Sequence, residues 1–137
     1  METLITSLPL IGRFLIGFFF FFFGFWNLCH WTPTLSYMQQ KKIPFAFFLL
    51  AIGILMEIIT GLMLIIGIYV KLAALLLIIF DVFAVLIFHP FWTLEGEVRR
   101  LNTIIFITNL TASLGALILL LNSVTPSPLT LANLLTP

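Results

Sequence analysis

The sequence predicts an all-α fold, an integral membrane four-helix bundle, and two observations carry that expectation. Of its 137 residues, 62% are hydrophobic and only 8% are charged. A soluble domain needs more polar surface than this to cover its core, so the surplus apolar surface must face lipid. In addition, four apolar runs approach the ~20 residues that a spanning helix needs. Length fits one membrane domain over residues 1–137 with no separate soluble module. The net charge is +1 and no basic tract is present, which leaves nucleic-acid binding without an electrostatic footprint. The single cysteine, Cys29, excludes an intramolecular disulfide framework and any multi-cysteine metal site, and no metal site is expected.

The runs predict helices over about 8–28, 44–66, 72–89 and 101–121. Arg13 ahead of Phe14–Leu28 imitates a signal peptide, but Cys29-His30-Trp31 follows without a small-residue cleavage motif. The segment therefore reads as a retained first helix. Six consecutive phenylalanines, Phe18–Phe23, must point all round that helix and read as lipid-facing filler. Pro44 suits the first turn of the second helix, where a missing N–H is no loss. Gly67-Ile68-Tyr69-Val70-Lys71 is a tight connection that makes the second and third helices antiparallel neighbours. Pro90 stops the third helix and Trp92 gives it an interfacial anchor. The Trp31–Lys42 loop mixes apolar and polar residues, a pattern suited to a short surface helix. A polar tail over 122–137 carries three prolines and no charge, with leucines that suit an interfacial position.

If the face near the N-terminus is side A, the loops Trp31–Ile43 and Phe91–Arg100 lie on side B with Lys41, Lys42, Arg99 and Arg100. Side A carries Arg13 and Lys71. The positive-inside rule then makes side B cytoplasmic, by a margin of two charges.

Glu57 and Asp81 stand alone inside apolar runs. Carboxyls at membrane depth are costly, face a bundle interior or wet cavity, and often mark a functional path. Glu57 lies nine residues before the end of its helix and Asp81 nine after the start of the next, so both fall roughly 14 Å from side A. Gly53, Glu57 and Gly61 form one stripe on the second helix, and glycines there admit a close neighbour. Asp81, Val85 and His89 form a stripe on the third, and Asn102, Asn109 and Ser113 lie near one face of the fourth. Two strata result: Glu57, Asp81 and Asn109 at mid-membrane, and Asn27, Cys29, His30, His89 and Asn102 toward side B. Glu57, Asp81 and His89 are the candidate proton-relay residues; Asn27, Asn102 and Asn109 are candidate pocket lining. A protonated carboxyl can equally act as hydrogen-bonding glue between helices. Adjacent Cys29 and His30 point about 100° apart on a helix and make no dyad.

Arg13-Phe14-Leu15, Gly24, Glu57-x-x-x-Gly61-Leu62, the run Gly67–Leu75, His89-Pro90-Phe91-Trp92 and Asn102 occur in an order and spacing that resembles the DoxX family of small four-helix membrane proteins. The resemblance spans residues 13–121. It implies a multi-pass protein of the bacterial inner (cytoplasmic) membrane. It also implies kinship with a subunit of a thiosulfate:quinone oxidoreductase and with membrane anchors of redox enzymes. This chain departs from the family in carrying Asn27 near the end of the first helix, where a lysine is common, and Asn27 supplies no positive charge.

These features lead to an accessory subunit of a membrane redox system, with quinone as the expected small-molecule partner and electrons supplied by another protein. Such a subunit is not a complete enzyme alone. A scaffold that docks a partner on its side-B loops is the alternative, and a small permease ranks last because no inverted repeat or broken helix stands out. Besides the lipid bilayer, the reading leaves room for a redox partner protein and for a homo-oligomer.

Overall fold

A computed structural model describes the backbone of residues 2–122 and the side chains of residues 8–122. The reading of the 122–137 tail therefore lies outside the described residues, except for Asn122. Among the described residues all regular structure is helical: α1 (Glu2–Cys29), α2 (Trp31–Gln40), α3 (Ala46–Ile66), α4 (Val70–Phe88), a 3-10 turn (Phe91–Thr93), α5 (Gly96–Thr108), a π-helical segment (Asn109–Ser113) and α6 (Leu114–Asn122). Four stretches are long and apolar enough to cross a membrane: Leu8–Cys29, Ala46–Ile66, Val70–Thr93 and Gly96–Asn122. The chain forms two helical units, the first ending at Tyr69 and the second opening at Val70.

In the first unit α1 and α3 pack antiparallel. Arg13, Gly17, Phe20 and Gly24 are buried on α1 at spacings of four, three and four residues, while Leu50, Ile54, Glu57, Gly61 and Leu64 are buried on α3 in the same rhythm. That alternation is the seam of two helices wound closely together. A Cβ on Gly17 would lie 2.8 Å from the Gly61 carbonyl oxygen, and one on Gly61 would lie 2.6 Å from the Phe21 amide nitrogen. The two backbones therefore touch, which only glycine permits.

Gly24 faces Glu57 and Arg13 faces Gly67, so the same register puts Cys29 opposite Ile52. About 9 Å of α3 thus runs on past the end of α1. The short helix α2 packs against α3 and covers it, with Met38 only 2% exposed and the Trp31 and Phe47 rings 5.2 Å apart. This is the expected surface helix of the first long loop.

Pro44 does not begin the second span. Helix α3 starts at Ala46, after Lys42 and Phe45 have taken left-handed conformations with φ of 54° and 53°. Two left-handed residues reverse the chain within a few positions, and Pro44 sits inside that reversal. The Phe18–Phe23 run is also not uniform filler. Phe18, Phe19, Phe22 and Phe23 are exposed, but Phe20 falls on the seam and is 3% exposed.

In the second unit α4 runs against the π-helical segment and α6. Ala73, Ala74, Leu77 and Leu117 are fully buried and Val85 nearly so. Helix α4 begins at Val70, two residues earlier than the sequence pattern placed it, and ends at Phe88, leaving His89 just outside. The fourth span begins at Gly96 rather than 101, because Glu97 in its first turn complements the positive end of the helix.

Candidate functional site

Two of the predicted residues meet in the first unit. Glu57 is 8% exposed on α3, and Asn27, in the last turn of α1, donates its Nδ2–H to Glu57 Oε2 over 3.4 Å. A Cβ on Gly24 would stand 2.8 Å from Glu57 Cβ, so the glycine is what lets α1 pass over the carboxyl. The expected split between a mid-membrane Glu57 and a side-B Asn27 does not hold. Helix α1 stops short of the end of α3, which carries its last turn down to the level of Glu57. On the same side of α3, Thr60 is buried and donates its hydroxyl to the Met56 carbonyl, satisfying itself within the helix.

The second unit brings His89 and Asn102 together, both assigned to the side-B stratum. Asn102 Nδ2 donates to the Val98 carbonyl over 2.9 Å, which fixes the amide. Turning it over would set its oxygen against that carbonyl, acceptor against acceptor. Asn102 Oδ1 therefore faces His89 Nδ1 at 3.0 Å and must accept the proton that Nδ1 carries. The neutral imidazole is left with a lone pair on Nε2. Beside this pair, Phe106 lies one turn beyond Asn102 on α5, with its ring 5.2 Å from Phe91 and 5.9 Å from Trp92. A histidine with one defined acceptor nitrogen thus lies two residues before Phe91, whose ring clusters with those of Trp92 and Phe106.

Asp81 is 7% exposed on α4, and its Oδ2 has no hydrogen-bond partner among the described residues. A buried polar atom of this kind calls for an explanation, either in strain or in a bound group. Asn109 opens the π-helical segment and, counting from the His89–Asn102 pair, lies close to the level of Asp81. No hydrogen bond joins the two. Glu57 belongs to the first unit and Asp81 to the second.

Cys29 is exposed. His30 Nδ1 lies 2.9 Å from the Trp26 carbonyl and the imidazole stacks on the Trp26 ring at 4.2 Å, so its contacts run back along its own helix. Among the described residues no group of three or more His, Cys, Asp or Glu could hold a metal ion.

Sequence reasoning missed Arg13, Gly17 and Gly24 as seam residues, although their spacing from Asn27 follows a heptad rhythm. It also missed the π-helical turn. That segment, Asn-Leu-Thr-Ala-Ser, contains neither proline nor glycine to announce it.

A family model described as DoxX matches residues 8–90, from the first span to the residue after His89. A curated relative, the "Inner membrane protein YphA" of Escherichia coli (strain K12), is 27% identical over 113 residues, covering 82% of this chain and 80% of its own length. No solved structure matches. With a family match across more than half of its length and four helices able to span a bilayer, the chain belongs to the DoxX family.

Proposed function

We propose that the chain, a multi-pass protein of the bacterial inner membrane, serves as an accessory subunit of a quinone-linked redox system. Membership of the DoxX family and likeness to a protein named for the inner membrane support the location. One observation carries the chemistry: the hydrogen-bond relay from His89 through Asn102 to the Val98 carbonyl.

A quinone head group needs apolar rings to lie against and a partner for its oxygens. The edge-to-face cluster of Phe91, Trp92 and Phe106 offers the first, and His89 Nε2 offers the second. In the neutral form Nε2 accepts a hydrogen bond, and a proton, from a quinol hydroxyl. Once protonated there, it donates to a quinone oxygen, while Asn102 holds the imidazolium in place through Nδ1–H. Reduction of quinone to quinol takes two electrons and two protons; the electrons are assigned to a redox partner protein. On this reading Asp81 and Glu57 are buried carboxyls that hold protons within their own units, and Asn27 and Asn109 are polar positions near their levels.

The test is a purification in mild detergent, followed by oxidised-minus-reduced spectra and assay of the organic extract for quinone. Wild-type protein should carry quinone, His89→Leu and Asn102→Leu should lose it, and His30→Leu should keep it. A quinone-free wild-type protein would overturn the reading.

A scaffold role is the second reading, and the fourth span favours it. Of the four spans it is the least buried, which leaves an open face for a partner. In that case Glu57→Gln leaves function intact, while substitution of Arg99 and Arg100 abolishes capture of the partner.

A further inference from the structure

We infer that Arg13 is a binding site for a phosphate anion at the membrane face where α3 ends. Its side chain is only 5% exposed, and its Nε has no hydrogen-bond partner among the described residues. An arginine at a membrane boundary usually snorkels its charge into water; this one is enclosed. A guanidinium almost out of water, with no carboxylate against it among the described residues, needs an anion to offset the lost hydration.

The surroundings are shaped for the head group. A Cβ on Gly67 would stand 2.9 Å from both Nη1 and Nη2 and 3.0 Å from Cζ. Three atoms equally near one point mean that the planar group lies flat over the Gly67 backbone. Its N–H donors lie in its plane, so they point along the surface of that turn rather than into it. Gly67 is left-handed, with φ of 86°, and its amide and that of Ile68 both turn back to the Met63 carbonyl. The glycine thus ends α3 and makes room for the guanidinium in one step.

Depth selects the anion. Opposite Gly67, Arg13 stands at the end of α3, next to a turn whose Tyr69 is 73% exposed. That is the level of the lipid head groups, where tyrosine belongs and phosphate is the abundant anion. A phosphate oxygen pair matches two parallel guanidinium N–H donors. Lipid head group and free inorganic phosphate share this chemistry.

The experiment measures the thermal-unfolding midpoint of the full-length protein in neutral detergent, titrated separately with phosphatidylglycerol and with inorganic phosphate. Wild type and an Arg99→Gln/Arg100→Gln control should both gain stability from at least one probe, and Arg13→Gln should gain from neither. A response to phosphatidylglycerol alone names the lipid; a response to both names the free anion. Equal responses in wild type and Arg13→Gln, or none in wild type, would overturn the site. If Arg13→Gln does not fold, Arg13→Lys keeps the charge but not the paired donors. An apparent affinity about tenfold weaker then supports the site, and an unchanged one overturns it.

Discussion

In the first unit glycines bring α1 and α3 together backbone to backbone, whereas in the second α4 meets its neighbours through alanines, leucines and valine. The first contact has no slack. A methyl group added at Gly17, Gly24 or Gly61 would sit within 3 Å of atoms in the facing helix, some of them backbone. The second contact is made by side chains, which can shift when one changes size, and it accommodates a π-helical turn in its partner helix. Backbone contact gives close register at the expense of tolerance; side-chain contact gives the reverse. Each unit's polar pair follows suit. Glu57 and Asn27 sit beneath a glycine in the seam, while His89 and Asn102 sit past the end of α4, beside an aromatic cluster.

The contrast breaks most visibly at Gly61. A Gly61→Leu substitution should destabilise the protein by about 3 kcal/mol or more, since the added atoms meet the Phe21 backbone. An unfolding titration in mixed micelles measures this, and a loss below 1 kcal/mol would show that the helices can part cheaply. Next in size is Leu77→Ala, which empties a fully buried site on α4 and should cost about 2–5 kcal/mol, toward the lower end if the side-chain contact relaxes as argued. A cost equal to that of Gly61→Leu would erase the distinction between the units. Asn27→Ala removes a long hydrogen bond to a carboxyl and should cost about 1 kcal/mol. Gly115→Ala should be neutral or stabilise by up to about 1 kcal/mol, because nothing lies within 4 Å of the new methyl group. Clear destabilisation by Gly115→Ala would mean that something covers α6. Smallest of all, Glu97→Gln breaks an exposed ion pair with Arg100 at 3.6 Å and should change stability by less than about 0.5 kcal/mol.

The four spans were legible because runs of apolar residues near bilayer length leave little alternative. The pairing of His89 with Asn102 was legible in part: depth counting put both in one stratum, though only the folded helix, through the Val98 carbonyl, gives the amide its direction. Asn27 was misplaced for a geometric reason. Its depth was counted as if α1 reached the same boundary as α3, and a chain cannot announce that one helix stops early while another short one covers the gap. Phe20 was hidden by its neighbours. In a run of six identical residues composition carries no phase, and only the outer markers Arg13, Gly17, Gly24 and Asn27 reveal which phenylalanine points inward. The exposed phenylalanines left by that phase make a structure of their own.

Phe14, Phe18, Phe22, Trp26 and His30 follow one another at successive turns, with ring centroids 6.3, 6.1, 6.0 and 4.2 Å apart. Each ring limits the rotamers of the next, so the outer edge of α1 meets the acyl chains as a nearly rigid rail rather than a brush of mobile side chains. Taking out one ring from the middle would free both neighbours. The loss would therefore be felt as added side-chain motion over three turns of helix, with no change in the packed seam behind it.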